Sequence, residues 1–269
     1  MFKSKYLILV LFLSCSLCSY AQADLKSAIS VLNSGDYETA MKQLLPLANA
    51  GDAKAQSLVG YMYYQGLGVD QDFSRAFTWY RKAAEQGIVD SQTTIGLMYQ
   101  NGQGVKQNFT EALKWYHKAA DQGYANAQYM LGNMYQNGQG VQKSDDEALK
   151  WFLKAADQKF ALAQTSLGIM YQNGLGVKQD YAAAFQWFQK SAEQGFSVAQ
   201  YLLAQMYDTG FGTQKDLIRA YAWYGMAASG GIDNARTRRS EIESGLTPAQ
   251  VQQALKLAKE LRDKISGSQ

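Results

Sequence analysis

Tyrosine stands at Tyr63, Tyr99, Tyr135, Tyr171 and Tyr207, each 36 residues after the last. Trp79, Trp115, Trp151, Trp187 and Trp223 keep the same step, as do Ala76, Ala112, Ala148, Ala184 and Ala220. A glycine pair recurs with them at 66/68, 102/104, 138/140, 174/176 and 210/212. Within one period, Ala127, Leu131, Met134 and Tyr135 fall at i, i+4, i+7 and i+8, the spacing of one helical face. After the glycines, Ala148, Trp151, Phe152 and Ala155 lay out a second such face. Each period therefore encodes helix A (124–137 in the central copy), a glycine turn and helix B (144–158). A two-helix unit of this size cannot bury its apolar face alone, so the units must stack.

The expected organisation is a segment 1–23 to be removed, an N-terminal half-repeat over 24–51, and five repeats over 52–87, 88–123, 124–159, 160–195 and 196–231. A degenerate copy with a terminal helix takes 232–269. In 24–51, Tyr37, Ala40, Leu47, Ala48 and Gly51 match helix B columns, but no Tyr-x-x-Gly-x-Gly precedes them. At the other end Thr247-Pro248-Ala249-Gln250 supplies an N-cap, a first-turn proline and a glutamine three residues after the cap. Val251, Leu255, Ala258 and Leu261 would give that last helix its apolar stripe, as a lid over the final repeat. Pro46 and Pro248 are the only prolines, and no linker interrupts the chain.

The string A-x-x-x-L-G-x-M-Y-x-x-G-x-G, running on into A-x-x-W-[YF]-x-K-A-A, is clearest from Ala127 to Gly140 and Ala148 to Ala156. It resembles the Sel-one-like repeat (SLR), a relative of the tetratricopeptide repeat, over about residues 51–231. The resemblance implies an all-α fold, a right-handed α-α superhelical solenoid that binds other macromolecules and carries no chemistry of its own.

Each recurrent residue has an expected duty. The first turn glycine ends helix A in a left-handed conformation, and the second lets helix B fold back. Paired alanines bring backbones close, while the Trp and Tyr columns fill the core. In one column Gly87, Gly123 and Gly195 end helix B, but Lys159 stands in the fourth copy, where strain of up to about 1 kcal/mol is expected.

Lys3 and Lys5 precede the apolar run Tyr6 to Leu13, and Ala21-Gln22-Ala23 places small residues at a cleavage site. That is the pattern of a secretory signal, cut after Ala23. The run is well short of the roughly 20 residues of a spanning helix. The expected destination is the periplasm or the medium. Acylation at Cys15 is the lesser alternative, because Phe12 stands where leucine is usual. Cys15 and Cys18, the only cysteines, leave with the segment, so the mature core must hold without disulfides. Losing Lys3 and Lys5 takes the formal charge from +3 to +1, no excess to attract nucleic acid or anionic lipid.

The glycine pair is no phosphate loop. Gly102-x-Gly104 is followed by Val105-Lys106-Gln107-Asn108, without the Lys-Ser/Thr of a Walker loop or the third glycine of a dinucleotide loop. His117 is the only histidine, which leaves zinc sites and histidine-based triads little material. No Ser-x-x-Lys of the penicillin-recognising type and no G-x-S-x-G elbow occurs. Asp145 and Asp146 open a helix B, where carboxylates suit the helix dipole. No catalytic residue, cofactor or metal is expected.

Tetratricopeptide-like solenoids bind with the wall formed by their A helices, and the resemblance carries that wall onto four columns. In the central repeat these are Asn126, Tyr129, Asn133 and Gln136, at i, i+3, i+7 and i+10. Across the chain they yield the candidate partner-binding set Tyr61, Tyr64, Gln100, Asn126, Tyr129, Asn133, Gln136, Gln172, Tyr201 and Gln205. Thr93, Thr165 and Asp208 fall in the same columns. An aromatic, amide-rich wall suits a protein or peptide partner, with a cell-wall glycan strand as the second ligand class. The leading expectation is a non-enzymatic exported scaffold for protein–protein interaction. The alternatives are an envelope protein acting on peptidoglycan or β-lactams and a secreted host-interaction factor.

Overall fold

The computed structural model describes residues 24–267; the expected signal segment, with Cys15 and Cys18, lies outside the described residues. Fourteen helices and no strand occur among the described residues. The chain divides into two compact units, one ending at Gln122 and the other beginning at Gly123. The first unit holds α1 (24–33), α2 (Tyr37–Asn49), α3 (Ala53–Gln65), α4 (Phe73–Glu85), α5 (Val89–Asn101) and α6 (Phe109–Ala120). The second holds α7 (Ala125–Asn137), α8 (Asp145–Asp157), α9 (Ala161–Asn173), α10 (Tyr181–Ala192), α11 (Ser197–Thr209), α12 (Leu217–Ser229), α13 (Asp233–Glu243) and α14 (Pro248–Ser266). In each unit the helices pair as hairpins, and successive hairpins stack. No helix among the described residues is long and apolar enough to cross a membrane.

The turn has a fixed chemistry. Helix A stops at Gly66, Gly102, Gly138, Gly174 or Gly210, each left-handed with φ between 68° and 83°. The chain then swings back, and the carbonyl of the recurrent tyrosine accepts the N-cap amide of helix B. Asn108 donates to Tyr99 at 2.9 Å, and Asp180 to Tyr171 at 2.8 Å. The N-cap side chains of Asp72, Asn108, Ser144, Asp180 and Asp216 in turn accept a first-turn amide of helix B.

The second glycine has a duty the sequence did not suggest. Besides φ values of 62° to 72°, Gly68, Gly104, Gly176 and Gly212 lie against the first backbone units of the preceding helix B. A Cβ on Gly176 would stand 2.5 Å from the Asp145 carbonyl carbon, and one on Gly104 would collide with the Phe73 carbonyl. The position seats one hairpin on the next as well as folding helix B back.

The core bears out the expected role of tryptophan at Trp115 and Trp223, which are buried, and corrects it in the other three repeats. Its deepest aromatic side chains are the residues after the tryptophans: Tyr116, Phe152, Phe188 and Tyr224 are fully buried, and Tyr80 is nearly so. Trp79, Trp151 and Trp187 are half-buried. Lys82, Lys154 and Lys190 hold their ammonium groups 3.9–4.2 Å from the ring centroids. The buried rings lie over Gly60, Gly96, Gly132 and Gly168 of helix A, where a Cβ would overlap them at the last three and press tightly on Tyr80 at the first. That explains the glycine of the Leu-Gly pair: it makes room for the ring.

At the C-terminus, the capping box of Thr247 and Gln250 forms as the sequence predicts. The inward stripe of α14 is rotated from the expected one. Ala254 and Ile265 are buried and Val251 and Leu261 pack on the core, whereas Leu255 is exposed.

Lys159 is the one non-glycine residue with positive φ (61°) among the described residues. A Cβ at its counterparts Gly87 and Gly123 would meet nothing within 4 Å, so the cost is conformational only. Lys159→Gly is therefore expected to raise stability by about 0.5–1 kcal/mol in urea titration. A midpoint that stays put or falls would remove strain as the description of this residue.

Candidate functional site

The A-helix columns do not form one uniform surface. In the central repeat Asn126, Asn133 and Gln136 are part-exposed, and their side-chain amides have no protein partner among the described residues. Tyr61 is exposed. The other tyrosines lean inward: Tyr64 meets Phe73 edge-on at 5.1 Å, Tyr129 lies 5.5 Å from Phe160 and 5.7 Å from Phe152, and Tyr201 lies 5.7 Å from Tyr224. Their rings complete the core, and only part of each faces solvent.

Three members of these columns are buried rather than groove-facing. Thr93 bonds the Val89 carbonyl, Thr165 bonds the Ala161 carbonyl and Ser191, and Asp208 is only 6% exposed. A threonine hydroxyl that satisfies itself on its own helix has little to offer a partner.

The glutamine column is sorted by its neighbours in the core. A buried tyrosine hydroxyl needs an acceptor. Tyr116 donates to Gln100 Oε1 at 2.7 Å, and Tyr224 lies 3.4 Å from Asp208 Oδ2. Burial pushes both hydroxyls well above the usual tyrosine range, with Asp208 adding to the effect at Tyr224. Phenylalanine replaces tyrosine at Phe152 and Phe188. There Gln136 and Gln172 have no hydroxyl to serve, and neither side chain has a protein partner among the described residues. Gln100 therefore belongs to the core, whereas Gln136 and Gln172 are available.

Gln172 opens onto a pocket of about 440 Å³ in the second unit, lined also by Tyr201, Gln205, Asp208, Phe211 and Arg238. Gln205 Nε2 donates to the Tyr201 hydroxyl at 2.9 Å, which leaves that hydroxyl's proton and the Gln205 carbonyl oxygen for a ligand. Asp208 fixes the Arg238 guanidinium through two bonds, from Nε to Oδ2 at 2.7 Å and from Nη2 to Oδ1 at 3.1 Å. Glu241 takes a third at 2.7 Å, and together they hold the guanidinium pKa above its ordinary value. The pair neutralises the floor of the pocket. Phe211 stands at the rim, 56% exposed and stacked on Tyr181 at 5.2 Å. The site thus offers a neutral set of donors and acceptors with a free aromatic face at its edge.

Of the ten expected residues, three meet at this pocket: Gln172, Tyr201 and Gln205. Asp208, Phe211 and Arg238 were not singled out as site residues from sequence. Arg238 lies in the degenerate copy, where periodicity has lapsed. Phe211 was in principle visible, because the residue between the turn glycines is leucine or glutamine in the other four repeats.

A second glutamine array was also missed. Gln56, Gln92, Gln164 and Gln200 are buried near the start of helix A, and each donates to the helix B before it, at the Ala48, Ala84, Ala156 and Ala192 carbonyls. Gln86, Gln122, Gln158 and Gln194 donate onward to the carboxamide oxygens of Gln56, Gln92, Gln128 and Gln164 at 2.7–2.8 Å. Among the described residues no cluster of His, Cys, Asp or Glu could hold a metal ion.

Comparison with known proteins agrees with this architecture. The family model described as Sel1 repeat matches residues 53–88, 89–124, 125–160, 161–196 and 197–232. A Sel1 repeat protein from Oxalobacter formigenes is 36% identical with a TM-score of 0.75, over 87% of this chain and 96% of that one. A protective antigen present in uropathogenic Escherichia coli strains, displaying an SLR fold, is 34% identical with a TM-score of 0.80. The match covers 92% of this chain and 54% of that one, so the chain spans about half the length of the antigen. An immunity protein from Pseudomonas aeruginosa shares the fold at 19% identity and a TM-score of 0.53, over 78% of this chain and 80% of that one. No match was found among curated proteins.

Proposed function

Since the chain belongs to the Sel1 repeat family, whose members generally serve as protein-interaction scaffolds, we propose that it binds a polypeptide partner without catalysing a reaction. The binding site is the pocket of the second unit framed by Gln172, Tyr201, Gln205 and Phe211. The observation that carries this reading is the free carboxamide of Gln172 beside an exposed aromatic rim. Such a rim supplies contact area at little rotamer cost, and amides pair with peptide groups. The neutralised floor suits an uncharged stretch of chain rather than an anion. The Lys3 to Ala23 pattern supports export, with the partner met in the periplasm or the medium.

The test is in-cell crosslinking from a photoreactive phenylalanine analogue at position 211. A defined protein adduct is expected, on a chain that begins at Asp24 if the export signal has been removed. Gln172→Ala removes no side-chain hydrogen bond among the described residues, so it should leave the melt within about 0.5 kcal/mol of the parent. The adduct yield should nevertheless fall several-fold. Adducts that persist unchanged in Gln172→Ala would displace the site from this pocket. An intact Met1 would overturn export alone.

A further inference from the structure

The glutamine array is interrupted once. In four repeats a glutamine at the end of helix B donates its side-chain N–H to the buried glutamine of its own helix A. In the fifth repeat the equivalent residue is Gly230. Gln200 is as buried as its counterparts, 4% exposed, and still donates Nε2 to the Ala192 carbonyl at 3.3 Å. Its Oε1 receives no donor from the described residues.

A cavity of about 300 Å³ lies at this place, lined by Gly195, Ser197, Gln200, Ser229, Gly230 and Arg262, among others. Gly195 matters because of what its counterparts do: Gln86 and Gln158 give a bond to the carbonyls of Gly51 and Gly123, which hold the same position in their repeats. The cavity therefore presents the two acceptors that those repeats offer to a carboxamide NH₂, the Gln200 oxygen and the Gly195 carbonyl. Arg262, from α14, adds an exposed donor with no protein partner among the described residues.

We infer that this cavity binds a primary carboxamide. The NH₂ bonds Gln200 Oε1 and Gly195 O, and Arg262 donates to the carboxamide oxygen. Two carbonyl acceptors disfavour a carboxylate, which has no proton for them, and the Arg262 guanidinium disfavours an ammonium group. The ligand's amide occupies the place a glutamine side chain holds in the repeats before it. This site is distinct from the pocket of the proposed function and independent of it. A primary amide could arrive as the side chain of Asn or Gln in a partner polypeptide, or as free glutamine.

The experiment is a titration of the mature chain, ¹⁵N-labelled, with N-acetyl-glutamine N-methylamide, the matching glutamate compound and free L-glutamine. Side-chain NH₂ signals of Gln200 and backbone signals of Gly195 and Ser197 report binding. Saturable shifts with the capped glutamine and none with the glutamate compound are expected. Gln200→Met should abolish them. Arg262→Met, an exposed change, should weaken them at least about threefold while leaving the fold intact. Tighter binding of the capped compound assigns the site to a partner's side chain, and tighter binding of L-glutamine assigns it to the free amino acid. No saturable shift in the parent chain, or equal shifts with the glutamate compound, would overturn the inference whatever the variants do.

Discussion

Phe152→Ala is expected to destabilise the second unit by about 3–5 kcal/mol, whereas Trp151→Ala costs only about 1–2 kcal/mol. The order is the reverse of what side-chain size suggests. Phe152 is fully buried, with its ring over Gly132 and Tyr129 at 5.7 Å, so truncation leaves a cavity that α7 and α8 cannot close. Trp151 is half-buried, and its solvent side carries the Lys154 ammonium at 3.9 Å from the ring centroid. Its loss removes apolar contact and a cation–π attraction worth about 0.5–1 kcal/mol at an exposed site, but opens no sealed void. Thermal melts of the two variants, with amide exchange in α7 and α8, measure the difference. A Trp151→Ala protein that melts below Phe152→Ala would refute this account of the core.

The second large effect is at the turn. Gly176→Ala is expected to cost about 2–4 kcal/mol, and Gly174→Ala about 1 kcal/mol. Both glycines are left-handed, with φ of 62° and 69°, so both variants bear the same conformational penalty. The surroundings separate them. A Cβ on Gly174 comes no nearer than 3.4 Å to Gln179, an ordinary contact. A Cβ on Gly176 meets the backbone of Asp145 and Asp146 at 2.5–2.8 Å, where no rotamer change can relieve the overlap. The hairpin of α9 and α10 would have to lift from the start of α8. Equal midpoints for the two variants in urea would show that the second glycine serves only its own turn.

Several features were legible in the sequence because they are local and repeated. The 36-residue step, the helix-turn-helix unit, the glycine C-cap and the Thr247 capping box each depend on residues within one or two turns of each other. Lys159 was legible for the same reason, since a break in a glycine column marks a left-handed position. The Trp column is sealed at Trp115 and Trp223 but half-buried at Trp79, Trp151 and Trp187, because recurrence does not fix depth. Recurrence shows that a position has a duty, and for Trp79, Trp151 and Trp187 the duty includes a solvent side under a lysine three residues later. The buried column varies between tyrosine and phenylalanine, which made it look less constrained than it is.

The glutamines show the limit from the other side. Gln56, Gln92, Gln128, Gln164 and Gln200 are as regular as the tryptophans, yet polar residues at helical positions read as solvated surface. Their burial is tolerable because the preceding helix B offers a carbonyl, as seen for Gln56, Gln92, Gln164 and Gln200, and helix B of the same repeat offers a donor to all but Gln200. Among the expected binding residues, the same accounting separated Gln100 from Gln172. Both occupy one column, but one serves the hydroxyl of Tyr116, and the other has only Phe188, which carries no hydroxyl, at the matching position.

By itself, then, the sequence determined the repeat, its helices, its turns and the family they mark, since hydrophobic period and backbone conformation are properties of short segments. Only the tertiary structure decided which aromatic ring is sealed, which glutamine is spoken for and where Asp208 meets Arg238. Burial and hydrogen-bond satisfaction depend on partners from other helices, about 30 residues away for Asp208–Arg238 and for each donor onto a buried glutamine, and residue type alone does not reveal them.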